Sequence, residues 1–466
     1  MVLQPTITLL EFNELSPTVM ERFIAEGKLP NFKRLRDQSE VFMSEAEEPA
    51  YLEPWIQWVT VHSGVPYSEH GVFNLSEGHK LRHKCVWDLV SEAGWPVWVC
   101  GSMNVRYQED VRGYILPDPW STDVEPHPKA LLPYFRFIQQ NVLEHTNKRV
   151  PLAKSDYLKF LRFMAGHGLS PGTVNSILQQ LISEKKTRNV RWRRAFLMDK
   201  LQFDVFSAIY RQLKPSFSTF FLNSTAHLQH LYWRNMEPEL FQVAPSADDQ
   251  RHYASAILFG YQEMDKLLGR MLTLVGDEAT VIFATALSQQ PCLNYEETGG
   301  KHSYRSRDFT ALLAYAGVTS PCQVAPVMAQ QFWIHLESAS DAVDAEAKLA
   351  ALRVGQQAAM KTRRDGASVF AGCSINRVLD HDAVLRIVDS DRSVPFFQVF
   401  YLVEGVKSGM HHPDGILWIR HPHRLHVARQ EKVGLASIAP TILEMLGIEK
   451  PEYMKGQSLL AGRKRT

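Results

Sequence analysis

Apolar positions along the chain fall into two rhythms. Short, almost unbroken apolar runs occur at Thr6–Phe12, Pro96–Cys100, Ser218–Leu222 and Ala279–Thr285, each bounded by polar or turn residues. Runs this short read as strands covered on both faces. Between them lie longer stretches with apolar residues three and four apart, as at Val19, Phe23 and Ile24, in Lys84–Ala93 and in Tyr253–Leu274. That spacing predicts helices. Ser16-Pro17 opens the first of them, with Ser16 as N-cap and Pro17 at the first helical position. Glu40–Ser44 and Ile416–Ile419 add strands, and Ile438–Gly447 adds a late helix. Strand–helix–strand alternation with buried strands predicts a doubly wound α/β fold, a mainly parallel sheet sandwiched by helices.

The strand rhythm stops between residues 126 and 214. That segment reads as a helical insertion or cap, rich in Arg and Lys, with Lys185-Lys186-Thr187-Arg188 and Arg191-Trp192-Arg193-Arg194. Residues 331–395 alternate strand and helix again and read as a smaller α+β lobe. The expected organisation is core at 1–125, insertion at 126–214, core again at 215–330, lobe at 331–395 and core at 396–466. A chain of 466 residues is longer than one compact core usually needs.

Composition narrows the function classes. With 45% hydrophobic and 22% charged residues, the chain is an ordinary globular one. A formal charge of +1 argues against binding a nucleic-acid polymer through bulk charge, while leaving room for a local basic patch. No uncharged apolar segment is long enough to span a membrane. Met1-Val2-Leu3-Gln4-Pro5 lacks the basic and apolar regions of a signal peptide, so a cytoplasmic protein is expected. The five cysteines are scattered and form no CxxC pair, which points away from a disulfide framework or a cysteine zinc site.

Candidate chemistry gathers at predicted strand ends, where α/β proteins bind ligands. Asn223, His227 and His230 follow the Ser218–Leu222 strand, and the two histidines are spaced to share a helical face. Glu11, Asn13 and Glu14 occupy the first strand-to-helix turn. Glu53, Trp55 and His62 form an aromatic-rich stretch, Asn104 follows another strand, and His411 precedes Ile416–Ile419. Singly, each is equally the signature of a cap, a wet loop or core packing. Together they are too many buried polar groups for a core, because such groups are costly unless paired.

Several motifs occur in a fixed order. They are Gly27-Lys28-Leu29-Pro30-Asn31-Phe32, Ser63-Gly64 with Glu69-His70-Gly71, Gln229-His230 with Trp233, Gly409-Met410-His411-His412-Pro413-Asp414-Gly415, and Ala439-Pro440-Thr441-Ile442-Leu443 with Gly447, Pro451, Met454 and Gly456. In these the chain resembles the alkaline phosphatase superfamily, in particular its type I phosphodiesterase/nucleotide pyrophosphatase branch. The resemblance implies an alkaline-phosphatase-like fold and phosphoryl chemistry on two metal ions. The ligand pattern departs from it. The first-strand aspartate falls on Asn13, the nucleophile's place on Leu52-Glu53-Pro54-Trp55, the "DxxQH" aspartate on Ala226, and an aspartate–histidine pair on Ala286-Leu287. Only His230 and His411 match the family's ligands.

The resemblance therefore implies an enzyme with a reduced or absent two-metal site. His227, His230 and His411 are the candidates for one Zn or Mn ion; without a metal they would serve in acid/base catalysis or hydrogen bonding. Glu53 is the candidate general base or carboxylate nucleophile. Glu11, Asn13, Glu14, Trp55, His62, Asn104 and Asn223 are candidates for substrate binding. The expected substrate is a phosphorylated small molecule or a sugar or glycan, hydrolysed or used in phosphoryl transfer. A glycosyl or phospho-sugar transferase, and a non-catalytic ligand binder, are the alternatives.

Overall fold

The computed structural model describes residues 5–47, 51–143, 153–326, 330–403 and 405–460. Eight strands form the central sheet: β1 (Ile7–Phe12), β2 (Glu40–Glu45), β3 (Val97–Cys100), β4 (Gly113–Leu116), β5 (Phe217–Leu222), β6 (Thr280–Ala284), β7 (Asp414–Arg420) and β8 (Val427–Gly434). Their order is β8-β2-β7-β6-β1-β5-β3-β4. β7 pairs antiparallel with both β6 and β2, whereas every other pairing is parallel. The mainly parallel α/β class expected from the hydrophobic rhythm is the one observed.

β1 sits near the middle, with all six residues buried. Its alternating side chains feed two cores, as the two-residue period of a strand requires. Leu10 and Phe12 join a cluster with Phe23, Tyr261 and Met264 on one face. Ile7 and Leu9 join Trp58, Trp87, Ile442 and Leu443 on the other. Phe12 meets Phe32 and Phe283 edge-to-face, with ring centroids 6.1 and 5.5 Å apart. Burying a ring of this size stabilises the fold by about 1.5–3 kcal/mol, and here it anchors the residue just before the candidate turn.

The expected insertion is helical: Leu132–Leu143, Lys154–Gly166, Pro171–Lys186 and Arg194–Leu213. Residues 144–152 lie outside the described residues. Phe160, Phe163, Met164, Phe196 and Phe206 enter the same cluster as Leu10 and Phe12, so these helices are fused to one face of the sheet. The segment expected as a smaller lobe, 331–395, contributes to an apolar cluster separate from the two that flank the central sheet. That cluster runs from Tyr304 to Phe400 and includes the helix Phe309–Ala316, while Cys322–Pro326 is an edge strand of one of the two four-stranded sheets. The helix is apolar almost all round, so it lacks the amphipathic stripe that would have marked it.

Candidate active site

β1 ends at Phe12, and the chain turns through Asn13 and Glu14 before the helix Pro17–Ala25. Glu14 adopts the left-handed backbone conformation, with φ of 62°. Such a conformation costs a non-glycine residue roughly 1–2 kcal/mol and persists only where surroundings enforce it. Here they do. The Glu14 amide donates to the Thr285 carbonyl at 3.2 Å, and the Glu14 carbonyl accepts from the Gln229 amide at 2.7 Å. Gln229 in turn accepts from the Tyr261 hydroxyl at 2.8 Å. The turn is thus tied to the end of β6 and to the helix Ser224–Met236.

Asn13 orients the carboxylate. Its Oδ1 accepts from the Trp58 indole at 2.8 Å, and its Nδ2 donates to Glu14 Oε1 at 2.8 Å and to Asn223 Oδ1 at 2.7 Å. The other oxygen, Glu14 Oε2, accepts from the Gln289 amide and faces two imidazoles. His230 Nε2 lies 3.1 Å from it and His411 Nε2 3.4 Å. His230 comes from the second turn of Ser224–Met236, and its Nδ1 is 3.0 Å from the Gly409 carbonyl. His411 comes from the strand Gly409–His412, which pairs with Ser288–Pro291 so that His411 stands opposite Gln289. The two imidazole rings are 5.1 Å apart.

The electrostatics follow from this packing. Burial pushes the Glu14 carboxyl up, but His411 and His230 outweigh it and hold the group well below the usual carboxylate range. Burial pushes His411 down, while Glu14 and Glu53 more than offset that and raise it. Glu53 is held above the ordinary carboxylate value by burial and by the like charge of Glu14, with His411 pulling the other way. Its side chain still keeps 43% of its accessible surface, so it reaches solvent at the mouth of the crevice. Glu53 Oε2 lies 3.8 Å from His411 Nδ1. Lys407 is half-buried, and burial together with Lys301 pushes it below the usual lysine value, with Glu53 and Glu14 pulling it back up.

The candidate residues separate into groups. Glu14, His230 and His411 converge, with Glu53 beside them and Asn13 and Asn223 supporting. His227 is exposed on the same helix and stands outside the group of donor atoms, in which Glu14 takes the third place assigned to it from the sequence. Residues three apart on a helix point about 60° away from each other, which is enough to turn one imidazole inward and the other out. Glu11 and His62 pair with each other at 2.8 Å and are 0% and 1% accessible. They are packed between Trp58 and Trp87, not open to the crevice. Asn104 donates to the Trp55 and Asn74 carbonyls and Trp55 donates to the Phe73 carbonyl, so both hold loops together. Gln289 and Lys407 were not among the sequence candidates. Gln289 had a readable signal, a polar residue just beyond the β6 strand, but an amide is an inconspicuous one.

The donor set suits one divalent cation. One Glu14 oxygen, one His230 nitrogen and one His411 nitrogen all lie within 4.8 Å of one another. A tetrahedral ion with bonds near 2.1 Å keeps its donors about 3.4 Å apart, close to the 3.1 and 3.4 Å found here. Bonding of His230 Nδ1 to a carbonyl leaves Nε2 directed at a carboxylate oxygen, which demands either a proton on Nε2 or a cation between them. The same carbonyl–imidazole arrangement fixes the ring in many metal sites. At the places the resemblance assigns to a second cation stand Ala226, Ala286 and Leu287, all buried and apolar.

No family model matches the sequence, and no curated protein matches it. Among solved structures, the chain is similar to phosphonoacetate hydrolase from Sinorhizobium meliloti 1021 in complex with phosphonoformate, at 11% identity and a TM-score of 0.45, over 95% of this chain and 96% of that one. The same hydrolase in complex with phosphonoacetate gives 10% identity and a TM-score of 0.44 over the same shares.

Proposed function

We propose that this protein acts on a phosphate-bearing small molecule, hydrolysing it or transferring its phosphoryl group, with a single divalent cation where the resembled superfamily uses two. The observation that carries this reading is the convergence of His230 Nε2 and His411 Nε2 on one oxygen of a buried, anionic Glu14. The ordered motif resemblance supports the phosphoryl class. Glu14, His230 and His411 would hold the ion. When bound, it would supply positive charge to the phosphoryl oxygens.

The remaining work falls to side chains of the crevice. Asn13 and Gln289 fix the Glu14 carboxylate so that it cannot swing toward substrate. Lys407, which feels the charges of Glu53 and Glu14, brings positive charge to the crevice and favours an anionic substrate. Glu53 accepts a proton from water or from an acceptor hydroxyl as the attacking oxygen bonds to phosphorus and the bond to the leaving oxygen breaks. Its raised pKa keeps it basic enough for that task.

The test is metal content per chain, with turnover of an aryl phosphodiester measured in parallel. About one zinc or manganese per chain, lost in Glu14→Gln, His230→Ala and His411→Ala together with turnover, supports the proposal. Parent protein that takes up no stoichiometric metal from excess zinc and manganese overturns the single-cation site.

A further inference from the structure

The helix Pro171–Lys186 is built inside out. The side chains it buries fully are polar, Thr173 and Gln180, and Ile177 is half-buried against the core. Gln180 is satisfied there, donating to Glu184 and to the Val190 carbonyl at 2.8 Å each. Its solvent-facing stripe is apolar: Leu178, Leu181 and Ile182 are 54%, 49% and 57% accessible. These three positions share one face of the helix. A globular helix that serves only its own core has the opposite pattern.

Cations flank the stripe. Lys185, Lys186 and Arg191 are exposed, and Lys185 and Lys186 make no ion pair among the described residues. Arg191 and Lys185 line one shallow groove with Leu178, Leu181, Ile182 and Glu184, the last paired with Arg194. The helix Lys154–Gly166, four residues earlier, repeats the chemistry with Leu158 at 69% and Leu161 at 56% accessible, beside exposed Lys154 and Arg162. From 154 to 194 the chain carries nine Lys and Arg against two acids, although its total formal charge is only +1. Positive charge is therefore concentrated where the apolar surface is.

We propose that this face, centred on Leu178, Leu181 and Ile182, docks on the surface of an anionic lipid bilayer. Apolar side chains at an interface with lysines and arginines beside them match both parts of such a surface, the acyl boundary and the negative headgroups. A second copy of the chain matches less well. A symmetric pairing of this patch with itself would bring Lys185 and Lys186 of each copy close to their counterparts, and like charges at an interface oppose association. The docking is peripheral, consistent with the absence, among the described residues, of any helix long and apolar enough to cross a membrane.

The experiment is co-sedimentation of the full chain with vesicles of phosphatidylglycerol and phosphatidylcholine in equal parts, against vesicles of phosphatidylcholine alone. Binding to the mixed vesicles is expected to weaken with salt and to be absent on the neutral ones. Lys185→Glu with Lys186→Glu should reduce binding at least about 30-fold, the loss expected for two interfacial cations. Leu178→Asp with Ile182→Asp should abolish it. Because these side chains are exposed, far-ultraviolet circular dichroism and melting temperature should stay as in the parent. Equal binding to neutral vesicles, or no binding to mixed ones, overturns the proposal. So does a concentration-dependent dimer that Leu178→Asp with Ile182→Asp dissolves while vesicle binding is nil. Metal content and phosphodiester turnover do not enter these outcomes, so the docking face stands or falls separately from the active site.

Discussion

Two carboxylate–histidine arrangements grow from the same strand end, three residues apart, and they differ in almost everything but chemistry. Glu11 and His62 are sealed, at 0% and 1% accessible, with tryptophan rings on either side. Glu14 is equally deep, but its histidines, His230 and His411, keep 27% and 18% of their surface and open into the crevice. Strand alternation sends Glu11 toward the helix Pro54–Ser63. The left-handed turn at Glu14 then redirects the next carboxylate along the sheet edge. A carboxylate beside a histidine therefore marks a site only when the backbone leaves one partner within reach of a ligand.

That contrast can be broken in descending order of effect. His62→Ala should destabilise the fold by about 3–5 kcal/mol, because it leaves the buried Glu11 carboxylate without its partner. Urea denaturation would read this, and a loss below about 1 kcal/mol would mean the pair is not structural. Glu53→Gln should lower phosphodiester turnover by at least about 100-fold while leaving the urea midpoint close to the parent's. A mutant that keeps its turnover removes that residue from the mechanism. Gln289→Leu should cost about 10–100-fold in metal affinity, as loss of a group that orients a ligand does. Equilibrium dialysis against zinc measures it, and unchanged affinity would demote Gln289 to packing.

A further expected effect is a dependence of stability on pH, arising behind the helix that carries His230. Asp199 accepts from the Ser224 hydroxyl and is buried. Burial pushes its carboxyl up to about 7, with Glu263 adding to the rise and Ser224 and Lys200 opposing it. Between roughly pH 4 and 7 the folded protein keeps this proton while the unfolded chain has lost it. The contribution is thus fully present at low pH and is lost as pH rises toward 7, at no more than about 1.4 kcal/mol per pH unit. Asp199→Asn should flatten the melting temperature across that window, and an unchanged slope would refute the assignment.

The fold was legible because its strands are short, apolar and punctuated, so that β1, β3, β5 and β6 announce themselves. The site was legible in part. Asn13, Glu53, His230 and His411 stand out as polar residues at strand and helix ends. What stayed hidden depends on rotation and pairing. His227 and His230 share a helix, yet only one faces Glu14. Gln289 matters because the ribbon register places it opposite His411, and no local pattern encodes a register formed with residues more than a hundred positions away. The helix Phe309–Ala316 was not read from the sequence because a uniformly apolar helix has no period to detect.

The single antiparallel strand has a consequence in time. Because β7 runs against its neighbours, its first residue, Asp414, lies at the edge where the parallel strands end, and the segment just before it delivers His411 to Glu14. The donors stand at positions 14, 230 and 411, so no amino-terminal fragment short of the last of them contains the set. During synthesis the amino-terminal strands emerge and begin to fold first. A ribosome-bound chain stalled before the ribbon Gly409–His412 would hold Glu14 and His230 but should bind zinc far more weakly than the released protein. The proposed metal site would therefore be assembled only after the ribbon that carries His411 has been made.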